Sequence, residues 1–228
     1  MPQVSLIREL PEGERPRERL LKQGSDALSA AELIAVLLRT GRKGVSAIQM
    51  ATELLQETGG IAGLVSLTPQ TLRRKGLGPA KIASLLAALE IASRLAREQL
   101  GERNLLNRPA EVAQYLAMRY WARDQEVMGA LFLDVRSRLL GEKEIFRGTL
   151  DRAVVEPREI LKEGLLRGAA GVIVFHTHPS GDPSPSPEDF AFTGRMRDAG
   201  EIVGVRLLDH LVLGSAGRWV SLKQRGAC

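Results

Sequence analysis

The stretch GVIVFHTHPSGDPSPSPEDF, residues 171–190, permits few local structures. It opens as a short apolar run rich in β-branched residues, which reads as a buried strand. Prolines follow at 179, 183, 185 and 187. Each removes an amide donor and fixes its own φ, so strand and helix both stop and a rigid loop takes over. Order returns at Ser186. Ser-Pro-Glu-Asp is a capping box, with Ser186 as N-cap, Pro187 in the first turn and Asp189 three positions along. Strand, rigid loop and capped helix follow one another within twenty residues.

The chain has three histidines, and two of them, His176 and His178, close this strand. Alternate residues of a strand face the same side, so the two imidazoles point together. A capping box needs no metal to explain it. It does not explain two neighbouring histidines where histidine is so scarce. Two neutral imidazoles are a natural pair for zinc. Asp189, on a rigidly started helix, would complete a His₂Asp set and leave the fourth position to water, the pattern of a catalytic zinc.

The rest of the 228 residues divides into two halves. Helices dominate the first. LSAAELIAVLLRTG suggests an N-cap at Ser29 and a C-cap at Gly41; VSAIQMATELLQETGG runs from Ser46 to the Gly59–Gly60 pair. LTPQTLRRKG is a short helix capped by Thr68, and GPAKIASLLAALEIASRLAREQLG a long one with Ile82, Leu85, Leu86, Leu89 and Ile91 on its apolar side. The second half alternates, with strands expected over 126–134, 139–148, 171–178, 205–214 and 218–222, and helices over 156–169 and 186–200. This predicts a helical domain over 1–100, a polar linker over 101–109, and an α/β (α+β) domain with a mixed sheet over 110–228.

Charge is unevenly spread. Residues 1–108 hold 16 Lys and Arg against 11 Asp and Glu, whereas 109–228 hold 16 against 16, so the net +5 lies in the first half. That excess fits either a solvated surface or contact with something anionic such as DNA. KGLGPAK, residues 75–81, sharpens the second alternative. Gly76 and Gly78 allow a tight turn whose amides approach an anion, the next helix points its N-terminus there, and Lys75 and Lys81 flank it. Hydrophobic residues make up 44% and charged residues 26%, an ordinary globular balance, and no apolar run approaches a membrane span. The first residues lack the apolar core of a secretion signal, and the one cysteine, Cys228, builds no disulfide framework. A cytoplasmic protein is expected.

His176, His178, Ser186 and Asp189 together meet the pattern His-x-His, seven residues, Ser, two residues, Asp. This resembles the signature of the JAMM (MPN-plus) metallopeptidases. FRGTLDRAVVEPREILKEGLLRGAAGVIVFHTHPSGDPSPSPEDF and LLDHLVLG resemble more narrowly the bacterial RadC family, and LLKQGSDALSAAELIAVLLRTG and GLGPAKIASLLAALEIASR are similar to its N-terminal helix-hairpin-helix region. The resemblance covers nearly the whole chain. It implies a JAMM fold, Zn²⁺, hydrolysis of a peptide or isopeptide bond, and an association with DNA repair.

It also implies an upstream Glu-x-x-Gly whose carboxylate handles the attacking water. Glu126 with Gly129 fits, while Glu142 and Glu144 on the following strand are rivals. Ser186 would serve either as cap or as donor to the oxyanion. His210 is expected to be a partly buried strand histidine bonded to Asp209 or to backbone, and the resemblance implies for it a supporting role beside the ligands and not ligation itself. A DNA-binding module with a non-catalytic JAMM scaffold is the alternative. A metal-dependent DNA-processing enzyme is a further alternative, which suits the basic half but lacks a two-metal ligand set; deamination lacks Pro-Cys-x-x-Cys.

Overall fold

A computed structural model describes residues 10–101, 104–120, 125–148 and 155–228; the chain forms two compact units, Met1–Ala92 and Ser93–Cys228. The first nine residues, 102–103 of the expected linker and 149–154 of the family-like stretch lie outside the described residues. Among those described, no helix is long and apolar enough to cross a membrane.

The N-terminal unit is helical: α1 (Pro16–Gln23), α2 (Ala30–Leu38), α3 (Ala47–Thr58), α4 (Pro69–Arg74) and the start of α5 (Pro79–Gly101). Helices α2, α3 and α4 begin where side chains satisfy the first amides. Ser29 accepts from the Glu32 amide while Glu32 returns to the Ser29 amide at 2.8 Å, Ser46 accepts from Gln49, and Thr68 from Thr71. Each such cap contributes about 1 kcal/mol. Ile34, Leu38, Met50, Leu54, Leu72 and Leu85 fill the core between them.

Two helical expectations are corrected. Helix α2 ends at Arg39, not Gly41, and Arg39 itself takes the positive φ of 63°. Gly41 is needed instead because a Cβ there would stand 2.0 Å from the Val45 carbonyl oxygen, against which the chain folds back. Ile91 is 67% exposed, not core. It lies nine residues, two and a half turns, beyond buried Ile82, and so on the opposite side of α5.

In the C-terminal unit α6 (Pro109–Tyr120) precedes β1 (Glu126–Leu133), β2 (Leu139–Gly148), α7 (Pro157–Leu166), β3 (Gly171–Thr177), α8 (Pro187–Val203), β4 (Arg206–Leu213) and β5 (Trp219–Ser221). The sheet order is β2-β1-β3-β4-β5, with only β3 and β4 parallel, so the expected mixed sheet is found. Strands β1 and β3 are covered on both faces, which is why they read as continuous apolar runs. On one face Leu131, Phe175 and Leu211 pack with Tyr115 and Leu116 of α6; on the other Ala130, Phe132 and Val174 pack with Ile160 of α7 and Phe192 and Met196 of α8.

The units divide between Ala92 and Ser93, inside α5 and ahead of the 101–109 stretch read as a linker. Leu100 and Leu105 are both buried in the sheet's core. The side chain of Asn104 accepts the Leu106 amide at 3.0 Å and starts the single turn that seats Leu105. Two anchoring leucines are thus set among polar letters.

Gly129 is the tightest point of β1. A Cβ there would stand 2.5 Å from Phe175 Cζ and 2.7 Å from the Lys143 carbonyl oxygen. Overpacking of this kind costs about 1–3 kcal/mol. Gly129→Ala is therefore expected to lower stability by roughly 2–3 kcal/mol in urea unfolding; an unchanged midpoint would show that the sheet relaxes around the methyl group.

Candidate metal centre

Strand β3 ends in His176 and Thr177, and the His178 amide continues the ladder by donating to the Leu213 carbonyl at 2.9 Å. The two imidazoles lie on one side of the sheet, with ring centroids 4.8 Å apart and their Nε2 atoms 2.9 Å apart. The antiparallel register of β1 and β3 pairs Met128 with His176. Two residues further along, the same register sets Glu126 beside His178. Glu126, His176 and His178 each offer a ligand atom, and these atoms all lie within 4.8 Å of one another.

Asp189 arrives from α8. Its Oδ1 is 3.3 Å from His176 Nε2 and its Oδ2 3.8 Å from His178 Nε2. The capping box fixes that position. The Ser186 amide and hydroxyl each donate to Asp189 Oδ2 at 2.7 Å, and the Asp189 amide returns to Ser186 Oγ at 3.2 Å. Ser186 is therefore the cap, and its hydroxyl proton is directed at the carboxylate. Asp189 is 4% exposed and His176 1%, so this polar cluster is sealed on most sides.

The proline-rich loop secures His178. Its Nδ1 donates to the Asp182 carbonyl at 2.8 Å, so the ring proton is on Nδ1 and the lone pair on Nε2. The loop is held in turn: Arg218 donates to the Gly181 carbonyl at 2.7 Å, and the Asp182 side chain accepts the Ser184 amide at 3.1 Å and hydroxyl at 2.8 Å. Two imidazole nitrogens and a carboxylate facing one point form a donor set that suits a divalent cation, zinc above the oxygen-preferring ions.

His210 is more than the partly buried residue expected. It is fully buried, and burial pushes its pKa down to about 4 against the opposing charge of Asp189. Asp209 takes the His210 backbone amide, not the ring. The ring spans from His176 Nδ1, 2.9 Å from His210 Nε2, to Thr193 Oγ1, 2.7 Å from His210 Nδ1. Thr193 was not visible in the sequence, whereas the supporting role implied for His210 is met by its contact with His176.

The family model of the RadC-like JAB domain matches residues 106–227, and that of the UPF0758 N-terminal region matches 7–83. The chain belongs to the RadC (UPF0758) family. A UPF0758 protein of Halorhodospira halophila is 50% identical over 221 residues, covering 96% of this chain and 98% of its own. Those of Polaromonas sp. and Geobacillus kaustophilus are 46% and 41% identical over 222 residues, covering 97% of this chain and 99% and 98% of theirs.

In this RadC-like domain the rival glutamates face away from the histidines. A register shift between Met128 and Gly129 pairs Gly129 with Glu144 and Leu131 with Glu142, which turns both carboxylates to the α6 face. There Glu142 accepts from Tyr115 and Tyr120 and pairs with Arg119, while Glu144 pairs with Arg147. In the UPF0758 N-terminal region the turn between α4 and α5 holds Gly76 at φ 77°. Its amide donates to the Arg73 carbonyl at 2.9 Å and that of Leu77 to Leu72 at 3.2 Å. Lys75 pairs with Glu57, and Lys81 donates to the Gly41 carbonyl at 2.8 Å. Gly78 faces open space, with no atom within 4 Å of a Cβ built on it. The amides of Gly76 and Leu77 and both lysine ammonium groups are thus engaged within their own unit.

Proposed function

We propose that the chain is a zinc-dependent hydrolase of peptide or isopeptide bonds, with His176, His178 and Asp189 holding the ion. The convergence of both histidine Nε2 atoms with the Asp189 carboxylate, at 3.3 and 3.8 Å, carries this reading. Membership of a family with a RadC-like JAB domain supports it. When bound, the ion would supply Lewis-acid polarisation of the scissile carbonyl and lower the pKa of water to about 7.

The remaining work falls to the chain. Glu126, on the histidines' face of the sheet, accepts the proton of the attacking water and returns it to the leaving amine. Ser186 holds Asp189 in place through its hydroxyl. Rotation of that hydroxyl toward the substrate would provide an oxyanion donor, a contact worth about 2.7–4 kcal/mol, while the Ser186 amide keeps hold of the carboxylate. The partner is a peptide or protein with an accessible amide or lysine isopeptide bond.

Protein purified without added zinc is expected to carry about one zinc per chain. It should cleave members of a panel of fluorogenic linear and lysine-branched peptides, lose that activity on chelation, and regain it with zinc. Wild-type protein that neither carries nor rebinds zinc would sink the metal assignment. Stoichiometric zinc with no amide cleaved across the panel would overturn the hydrolase assignment alone.

A further inference from the structure

The structure assigns to Thr193 and His210 a positioning role: together they hold His176 in the tautomer whose unprotonated Nε2 faces the ion. This deepens the proposed metal site and rests on it. Proton positions follow along one buried line. Thr193 Oγ1 is 2.6 Å from the Asp189 carbonyl oxygen, which only accepts, so the single hydroxyl proton points there. His210 Nδ1 is 2.7 Å from the same Oγ1 and must therefore be the donor. A neutral imidazole carries one ring proton, which leaves His210 Nε2 as an acceptor. The group 2.9 Å from it is His176 Nδ1, which donates. His176 Nε2 then keeps its lone pair, and this is the atom 2.9 Å from His178 Nε2 and 3.3 Å from Asp189 Oδ1.

Thr193 and His210 are 0% exposed and His176 1%, so water has no place in this relay. The two histidines reach one tautomer by different means. His178 is set by a peptide carbonyl of its loop, His176 by a hydroxyl and a second imidazole. The relay begins at the backbone of Asp189, so the helix that delivers the carboxylate also fixes the proton on His176.

Thr193→Val removes the hydroxyl at nearly constant volume. His210 then loses the acceptor that holds its proton on Nδ1, and His176 can turn to the Nε2–H form that blocks the ligand atom. Long-range ¹H–¹⁵N spectra of the zinc-free protein, labelled at histidine, read this directly. Wild type is expected to show Nδ1–H at His176, His178 and His210, and Thr193→Val to lose the Nδ1 proton at His176. Zinc affinity, from competition with a chromophoric chelator, is expected to fall roughly 10–100-fold in Thr193→Val and to return in Thr193→Ser. Circular dichroism establishes that each variant is folded. An unprotonated Nδ1 at His176 in wild type overturns the relay whether or not metal binds, as does equal zinc affinity in wild type and folded Thr193→Val. Wild type that binds no zinc sinks the metal assignment, and the tautomers still decide the relay.

Discussion

Asp189→Ala is expected to lower zinc affinity by roughly 100-fold or more, since loss of a mere supporting partner already costs 10–100-fold. It should also loosen the start of α8. The two effects share one carboxylate: Oδ1 lies 3.3 Å from His176 Nε2, while Oδ2 accepts from the Ser186 amide and hydroxyl at 2.7 Å each. Losing the carboxylate half of this capping box should cost no more than the roughly 0.5–2 kcal/mol of a full cap, measurable by urea unfolding of the zinc-free protein. Asp189→Asn separates the roles, because the amide oxygen still accepts from Ser186 but carries no charge for the ion. Its stability should stay near wild type while its zinc affinity falls. Affinity within a few-fold of wild type in Asp189→Ala would remove residue 189 from the ligand set.

Glu126→Gln should retain its zinc and lose hydrolysis by roughly 10²–10⁴-fold, the usual contribution of a positioned general base. Glu142→Gln is the matched comparison. Its carboxylate lies across the sheet among Tyr115, Tyr120 and Arg119 and is not expected to touch substrate. That variant should keep its turnover and lose stability, because a buried charge partner of Arg119 is removed. Full activity in Glu126→Gln would move the general base elsewhere.

The contrast between Glu126 and its rivals marks where the sequence stops informing. Residues 142, 144 and 146 share the same parity in the chain, yet the extra residue at the register shift turns the glutamates to one face and Phe146 to the other. Nothing in the local letters announces it. The caps were legible, at Ser29, Ser46, Thr68 and Ser186, because a cap involves residues three apart and one turn of backbone. The strand, loop and helix around the histidines were legible for the same reason.

Gly41, and the burial and partners of His210, were misjudged because their reasons are tertiary. Gly41 yields to the Val45 carbonyl across a fold-back of the chain. His210 meets His176 only because β3 and β4 pair in parallel, with His210 opposite Val174, one step along the same face from His176. Ile91 belongs to neither group. Its position around α5 follows from helix geometry alone.

The carbonyl that anchors His178 belongs to the main chain of residue 182. No exchange of side chain at that position deletes it. A saturation screen at residue 182 would accordingly report the side chain's hold on Ser184 and pass over the carbonyl's contribution. The carbonyl's own contribution should surface in variants that change the length of the segment between His178 and Ser186 or shift its prolines. Engineering of this centre toward other ions should begin with that spacing.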